Sequence, residues 1–296
     1  MIDIRFSVFG PGRVGGSLAH WLVACGGHLE QVATRRRSAA ERLCDSLGGS
    51  AVAIEEITTT GEDLLLLAVS DPALEAVAHD LAARSQADVV LHVAGAMPAE
   101  VLAPLRQVGS AIGSLHPLRA FPAVEPDPQR VRGTYFAIDG DPAAIEISHR
   151  LLDIWQAHGV EIPPRHRRLY HLAASLAAGG VVTILAMVRQ IIDRVGLPPE
   201  VERGYFALAR QALAEAVAED HPRNALTGPA ARGDVELVER QLAELEATAP
   251  ELVDGVVALL EETRRASAAR AADDSAWEEL GRILAKAKQR KSFLDP

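Results

Sequence analysis

Phe6-Ser-Val-Phe-Gly-Pro-Gly-Arg-Val-Gly-Gly16 carries three glycines in the spacing G-x-G-x-x-G, directly after a short apolar run. That run predicts a buried strand, and the apolar residues from Leu18 to Cys25 recur at the spacing of a helix. In such a unit the first glycine permits a tight turn, the second lets a pyrophosphate approach the backbone, and the third lets helix and strand pack closely. The stretch therefore predicts a dinucleotide site rather than a plain glycine-rich turn. The residues predicted to hold the cofactor here are Gly10, Gly12, Arg13, Val14 and Gly15.

The predicted second strand, His28 to Thr34, is followed directly by three arginines. The position roughly 20 residues beyond the glycines selects the cofactor, because an acidic side chain there binds the ribose hydroxyl of NAD. That position is Arg35 here, and a guanidinium instead forms charge-assisted bonds with a 2′-phosphate. Thr34, Arg35 and Arg36 are therefore predicted to select NADP. The alternative is a solvated helix start, since Ser38-Ala-Ala-Glu41 has the pattern of a capping box.

Further apolar strands alternate with helix-length segments, which predicts a mostly parallel sheet of the Rossmann type. Ligands bind at the carboxyl ends of such strands, so the loops that contain Val69, Ser70, Ala94 and Gly95 are predicted to contact the cofactor. After Pro163-Pro164 the pattern predicts helices only. We therefore expect an α/β fold with two domains, an NADP-binding Rossmann domain at 1–164 and an all-helical substrate and dimerisation domain at 165–296.

The overall composition limits the partners. The net charge is −10, which argues against nucleic acid and anionic membrane surfaces. Only two cysteines occur and no signal peptide is recognisable, so a reduced cytoplasmic setting is expected. The stretch Leu172 to Val188 has no charge and imitates a membrane span. It is short for that purpose, and a buried central helix or a subunit interface is the preferred interpretation.

The supply of proton donors is narrow. Lysine occurs only in the last dozen residues, at Lys286, Lys288 and Lys291. Histidine has an unperturbed pKa of about 6.5, close to working pH. His116 lies at the carboxyl end of a predicted strand and His171 at the start of the apolar helix, so these two are the predicted catalytic residues. The alternative for each is a structural histidine bonded to backbone. No pattern of metal ligands is present, and no metal is predicted.

The order of motifs resembles a known family. The motifs that carry the resemblance are Gly10-Pro-Gly-Arg-Val-Gly15, Ala68-Val-Ser-Asp71, Leu115-His-Pro-Leu118, Tyr170-His171 and Thr227-Gly-Pro-Ala-Ala-Arg-Gly-Asp234. With them the chain resembles bacterial Rossmann-like oxidoreductases whose C-terminal half is the domain of unknown function 2520. These belong with the 6-phosphogluconate-dehydrogenase-like and ketopantoate-reductase-like enzymes. Where the family often has Ser-Asn, this chain has Ala178-Gly179.

The resemblance implies an NADP-binding domain, a helical domain that forms a homodimer, and reduction of a small 2-oxo acid or imine. The candidate substrate residues are Arg119, Ser175, Thr227, Arg232 and Asp234. Arg232 could clamp a carboxylate and Asp234 could cap a helix, or the two could form an internal pair that fixes the turn. Two other functions stay open: a catalytically silent NADP-binding regulator, and an oxidoreductase that uses a deazaflavin.

Overall fold

The computed structural model describes residues 2–268 and 275–291. The chain divides into two compact units, Met1–Ala178 and Gly179–Pro296. This division lies later than the predicted boundary after Pro164. The reason is that the helix following Pro164 packs on the sheet, where its Arg167 forms an ion pair with Asp139.

A large, mostly parallel sheet forms the centre of the first unit. Its strands and those of a small two-stranded sheet are β1 (Arg5–Phe9), β2 (His28–Ala33), β3 (Ser50–Val52), β4 (Thr59–Thr60), β5 (Leu64–Leu67), β6 (Ser85–Gln86), β7 (Val89–His92), β8 (Ala111–Pro117), β9 (Tyr135–Gly140) and β10 (His158–Glu161). The large sheet has the order β10-β9-β8-β7-β5-β1-β2-β3, and β4 pairs with β6. Only the pair β8–β9 is antiparallel among these strands. The predicted Rossmann-type sheet is thus confirmed.

Helices cover both faces of this sheet. They are α1 (Arg13–Ala24), α2 (Arg37–Leu47), α3 (Leu74–Leu81), α4 (Ala103–Gln107), α5 (Pro142–Trp155) and α6 (Arg167–Ser175). The strand β5 shows why its sequence is apolar throughout. Leu64 and Leu66 pack in one core with α1 and α5, while Leu65 and Leu67 pack in the other with α3 and α4. A strand buried on both faces has no position for a polar side chain.

The second unit is helical throughout its described residues, as predicted. A π-helical turn, Leu176–Gly180, spans the division between the units. The helices that follow are α7 (Val181–Val195), α8 (Pro199–Ala218), α9 (Pro229–Arg232), α10 (Val235–Thr248), α11 (Val253–Ala268) and α12 (Ser275–Lys291). A small core of aliphatic side chains joins α9 to α12 and includes Val238, Leu242, Val257, Leu280 and Leu284.

One apolar helical segment is left uncovered by the chain itself. By length and composition, Pro164–Val195 could cross a membrane, and none of its most apolar 18-residue window is buried. The predicted stretch Leu172 to Val188 lies inside this segment. Its burial is therefore not provided by the core of the described chain, and a subunit interface stays a prediction.

Candidate active site

The glycine turn has the geometry expected from its spacing. Gly10 has φ +98°, and a Cβ on it would lie 2.5 Å from the carbonyl oxygen of Ala68. A Cβ on Gly15 would lie 2.3 Å from the carbonyl oxygen of Gly10, so α1 packs on the turn too closely for any side chain. A Cβ on Gly12 would meet nothing within 4 Å. The backbone at Gly12 is therefore open to a ligand, while the other two glycines serve the turn and the packing.

The start of α1 suits an anion. The helix begins at Arg13 after Gly12, with no side-chain cap and no acidic residue in its first turn. The first N–H groups of a helix have no intrahelical partner, and the helix dipole favours a negative charge beside them. Such a donor set fits the pyrophosphate of a dinucleotide.

A cavity of about 870 Å³ lies next to this turn, within the first unit. Of the predicted cofactor residues it is lined by Gly10, Gly12, Thr34, Arg35, Arg36, Val69 and Ser70. The remaining five, Arg13, Val14, Gly15, Ala94 and Gly95, do not line it. Arg42 of α2 also lines the cavity, although it is not among the cofactor residues predicted from the sequence. Its place one helical turn beyond Ser38 could have indicated it, because residues at that spacing share a helix face.

The arginines after β2 divide into two kinds. Arg37 is the first residue of α2, and its Nε donates to Glu41 at 3.1 Å. The predicted capping box is therefore wrong: Ser38 lies inside the helix, and Glu41 pairs with a side chain instead of the backbone. Arg35 and Arg36 are exposed and form no ion pair with the described residues. A phosphate could therefore bind to these two arginines without breaking an existing ion pair.

A second cavity, of about 600 Å³, lies at the end of β8 in the same unit. It brings together four predicted residues that are far apart in sequence: His116, Arg119, His171 and Ser175. Tyr170, Pro117, Leu118 and several alanines, among them Ala178, form the rest of its lining. Since the carboxyl ends of the parallel strands share one edge of the sheet, this cavity opens at the edge that also carries the glycine turn.

The two histidines meet above Gly95. The rings of His116 and His171 are 5.7 Å apart between centroids and nearly perpendicular. A Cβ on Gly95 would lie 2.3 Å from Cδ2 of His171 and 2.7 Å from Nε2 of His116. Only a glycine therefore leaves room for both rings at the end of β7. Gly95 contacts the catalytic candidates, and its predicted contact with a cofactor stays a prediction.

His116 is held as a neutral base. Burial, together with the smaller effects of the neighbouring His171 and Arg167, lowers its pKa to about 4. The ordinary value near 6.5, which the sequence argument assumed, does not apply here. A charged imidazolium at this position is scarce at neutral pH, so any proton it donates comes from the neutral ring.

Tyr170 is a site residue that was not among the residues predicted from the sequence. Its hydroxyl oxygen lies 3.0 Å from Nδ1 of His116, and the two rings are in edge contact. Burial raises the pKa of Tyr170, and the charge of Arg167 opposes that rise. The adjacent pair Tyr170-His171 was visible as a motif, but its contact with His116 spans 54 residues.

The other two predicted residues of this cavity, Arg119 and Ser175, differ in their hydrogen bonds. Nη1 of Arg119 donates to the carbonyl oxygen of Arg130, while its buried Nε has no hydrogen-bond partner among the described residues. The Oγ of Ser175 donates to the carbonyl oxygen of His171 at 2.9 Å. Arg119 thus brings a positive charge to the cavity lining, whereas the hydroxyl of Ser175 is occupied by its own helix.

Two fully buried polar residues, Arg167 and His92, interact electrostatically with His116. Arg167 is fully buried, and its Nη2 lies 2.5 Å from Oδ1 of Asp139. His92 is also fully buried; its Nδ1 accepts from the N–H of Ala94, and its Nε2 lies 3.2 Å from the carbonyl oxygen of Pro98. Burial lowers the pKa of His92 to about 4. His92 is therefore a structural residue, as its backbone partners indicate.

Three predicted substrate residues belong to the second unit. The side chain of Asp234 accepts from the N–H of Leu237 and caps α10, which favours the predicted helix cap. Arg232 and Thr227 are exposed, and the described residues show no ion pair between Arg232 and Asp234. Within the described ranges, no group of three or more His, Cys, Asp or Glu side chains could hold a metal ion.

Comparison with known families agrees with this architecture. Residues 3–117 match the Rossmann-like domain, and residues 134–259 match the domain of unknown function 2520. The protein is thus a Rossmann-like protein with a C-terminal domain of unknown function 2520. No curated protein sequence matches the chain.

Solved structures share the fold over nearly the whole chain. A protein of Thermotoga maritima is 24% identical, with a TM-score of 0.67 over 90% of this chain and 100% of its own. A candidate NADP oxidoreductase of Bacteroides fragilis is 20% identical, with a TM-score of 0.72 over 90% and 98%. The imine reductase of Myxococcus stipitatus, solved with NADP+, is 18% identical, with a TM-score of 0.64 over 95% and 99%. The fold is therefore one that NADP oxidoreductases use.

Proposed function

We propose that the protein is an NADPH-dependent reductase that transfers a hydride to a small 2-oxo acid or imine. The observation that carries this proposal is the pairing of two cavities at one edge of the sheet. One has the glycine turn and free arginines of a dinucleotide site, and the other has two facing histidines. Function resides in such sites rather than in the fold, so the proposal depends on these residues.

The cofactor would be held by the turn at Gly12, the start of α1 and the arginines of the first cavity. NADPH supplies the hydride when bound. Arg35, Arg36 and Arg42 line the cavity beyond β2, where a 2′-phosphate would add negative charge. Guanidinium groups bind phosphate through two parallel bonds, which supports NADP over NAD.

The substrate would be a small anion with one reducible double bond. Arg119 supplies a positive charge, His116 and His171 supply polar rings, and small apolar residues form much of the remaining lining. A carboxylate next to a carbonyl or imine carbon fits this set, because the charge binds to arginine while the reacting group faces the histidines. Arg232 and Thr227 of the second unit stay candidates for further contacts.

A silent NADP-binding regulator is the second candidate function, and one observation favours it. The exposed residue Ala178 lines the histidine cavity, at the place where the family often has a serine. An apolar methyl group there removes a hydrogen-bond partner for the substrate. The histidine pair and the positive charge of Arg119 in the cavity lining support the reductase instead.

The decisive experiment is a panel of 2-oxo acids and cyclic imines, followed through the absorbance of NADPH. Turnover of at least one of them supports the reductase. Tight NADPH binding without turnover of any panel member would support the regulator. A parallel melting experiment with NADPH, NADH and a deazaflavin tests the cofactor, since only a bound compound raises the melting temperature. Stabilisation by the deazaflavin alone would overturn the NADP assignment.

A homodimer in the cytoplasm belongs to the same proposal. Leu172 and Leu176 are exposed on the segment before the division, and Leu208 and Val217 are exposed on α8. Patches of this kind mark interfaces in soluble proteins. The ion pair between Arg189 and Glu202 joins α7 to α8 and argues against a bilayer as the partner. Both cysteines are free thiols, which suits a reducing compartment.

Light scattering at micromolar concentration tests the dimer. We expect the unaltered protein to be a dimer, and Leu208→Glu combined with Val217→Glu to release monomers. Leu259→Glu, at an exposed leucine of α11, is the matched control. A stable monomer of the unaltered protein would contradict this part of the proposal.

A further inference from the structure

We propose that Tyr170 and His116 form a proton relay beside buried Arg167, which delivers the proton of the reduction without a charged histidine. The inference rests on the proposed reductase function, because a reduction leaves negative charge on the substrate that a proton must neutralise. Its geometric basis is the 3.0 Å contact between the hydroxyl of Tyr170 and Nδ1 of His116. The relay gives a role to Tyr170, which lines the cavity, and to Arg167, which does not line it.

The contact with Tyr170 determines which nitrogen of His116 carries the proton. A neutral imidazole has one N–H donor and one acceptor nitrogen. The positive charge of Arg167 acts on Tyr170. A phenol beside a cation is best oriented with its lone pairs toward the cation, so we place the hydroxyl hydrogen of Tyr170 on its contact with Nδ1. Nδ1 is then the acceptor, and Nε2 carries the proton. Nε2 is also the nitrogen that lies against Gly95.

The positive charge of Arg167 is only partly compensated by its ion-pair partner. It is fully buried, and Asp139 is its ion-pair partner through Nη2. Its Nε and Nη1 have no hydrogen-bond partner among the described residues. The carboxylate of Asp139 is shared, because its second oxygen accepts from the N–H of Ala99 at 3.1 Å. A buried guanidinium with one shared counterion leaves a positive potential around it.

This potential acts on both members of the relay in the useful direction. It lowers the pKa of His116, where it disfavours a second proton on the ring, and it opposes the raised pKa of Tyr170, where it favours the phenolate. The groups that face His116 are Tyr170, His171 and Arg167 from α6 and His92 from β7. The carboxylate of Asp139, on β9, is bound by Arg167.

The relay moves two protons in one step. Hydride adds to the carbonyl carbon, the electron pair of the double bond moves to oxygen, and this oxygen takes the proton from Nε2. Nδ1 takes the hydroxyl proton of Tyr170 in the same step, so the imidazole stays neutral and changes tautomer. The phenolate remains beside the charge of Arg167. The proton on Nδ1 then returns to Tyr170 as a solvent proton binds Nε2 from the open cavity, so the imidazole stays neutral.

The first test needs neither cofactor nor substrate. In the full chain with isotope-labelled histidines, NMR of the imidazole nitrogens reports protonation and tautomer, and His116→Gln assigns the signal. We expect His116 to be neutral with its proton on Nε2 from pH 5 to pH 8. Tyr170→Phe should shift the tautomer ratio severalfold toward Nδ1–H. A signal that titrates near pH 6.5, or a proton on Nδ1 in the unaltered protein, would overturn the relay.

Matched variants separate the relay from general damage. Tyr135→Phe is the control, because Tyr135 also contacts a histidine ring, that of His158, on the same sheet. This variant should leave the His116 signal unchanged. Asp139→Leu combined with Arg167→Met removes the buried charges together and should raise the pKa of His116. Arg167→Lys keeps the charge and should restore the lowered value, and circular dichroism checks that each variant folds.

Turnover supplies the second test, with a substrate identified by the panel. We expect kcat to stay flat from pH 5.5 to pH 8 and to fall when Tyr170 ionises. Tyr170→Phe should lower kcat roughly 10- to 100-fold, with the KM for NADPH unchanged. A histidine-like fall of kcat around pH 6.5 would overturn the relay. A protein with the expected imidazole state that reduces none of the panel refutes the reductase proposal and leaves the relay geometry standing.

Discussion

Each edge of the central sheet holds a titratable group whose pKa burial shifts in the direction that favours the neutral form. At the carboxyl edge, burial lowers the pKa of His116 to about 4. Before β5, at the amino edge, burial raises the pKa of Glu62 to about 7. Desolvation acts in opposite directions on a base and an acid, because it disfavours the charged form of each.

The surroundings of these two groups differ more than their pKa values do. His116 lines a cavity with Tyr170 and His171, above a glycine that leaves the space free. Glu62 is 2% exposed, and one of its carboxyl oxygens has no hydrogen-bond partner among the described residues. A shifted pKa therefore marks burial at both edges, and only the cavity with convergent groups marks a site.

The largest expected effect is on turnover at the carboxyl edge. His116→Ala should lower kcat by roughly 10²–10⁴ and leave NADPH affinity nearly unchanged, because general acid catalysis contributes about that much. Steady-state kinetics with a substrate from the panel measures the change. His79→Ala, at an exposed histidine of α3, is the control. If His116→Ala and His171→Ala both keep near-full kcat, histidine is not the proton donor.

At the amino edge the effect should fall on stability alone. The folded pKa of Glu62 is about 7 and its unfolded value is near 4.5, so the protonated form stabilises the fold fully below pH 4.5. This contribution is lost as pH rises toward 7, and it amounts to at most roughly 3 kcal/mol. Glu62→Gln removes the titration, so its melting temperature should fall less than that of the unaltered protein between pH 5 and pH 8. Equal slopes would show that Glu62 does not titrate in this range.

The close packing of both histidine rings on Gly95 predicts a smaller effect on turnover. Gly95→Ala places a methyl group 2.3 Å from a carbon of His171, so both rings must move. A displacement of about 1 Å at a catalytic group can cost up to 10²-fold, and we expect kcat/KM to fall roughly 10- to 100-fold. Gly204→Ala is the matched control, since a Cβ there meets nothing within 4 Å. Unchanged kinetics in Gly95→Ala would show that the rings are not positioned by this glycine.

The smallest effect is expected at the phosphate end of the first cavity. NADPH should bind at least about tenfold tighter than NADH, which is about 1.4 kcal/mol. Replacing Arg35 and Arg36 together by alanine should erase this preference. Arg37→Ala should preserve it, because Arg37 is paired with Glu41. Equal affinities of the unaltered protein for the two cofactors would contradict the assignment of these arginines.

The cofactor side of the site could be predicted from sequence because its parts are local. Gly10 to Gly15 form a turn whose geometry depends on their own spacing, and the arginines follow β2 directly. The capping box at Ser38 failed for a local reason as well. The carboxylate of Glu41 could reach either the backbone or the side chain of Arg37, and the ion pair prevailed.

The histidine side could be predicted only in part. The types and places of His116 and His171 follow from strand ends and helix starts, but their environment depends on contacts across the fold. The shift in the pKa of His116 arises from burial and from Arg167 on another element. The local sequence indicates neither how deeply His116 is buried nor that it contacts Tyr170. An imidazole assumed to titrate near neutrality is therefore a neutral ring in the folded chain.

The buried pair of Asp139 and Arg167 has a consequence for how this sequence can diverge. Losing one partner leaves a charge in the interior, which costs about 3–5 kcal/mol, whereas exchanging both for apolar residues is often tolerated. Substitutions at the two positions should therefore occur together among homologues, as an inherited couple. A homologue that keeps the arginine and has an aliphatic residue in place of the aspartate would need a second acid nearby. Where both are apolar, we expect the residue in place of Tyr170 to be free to vary as well.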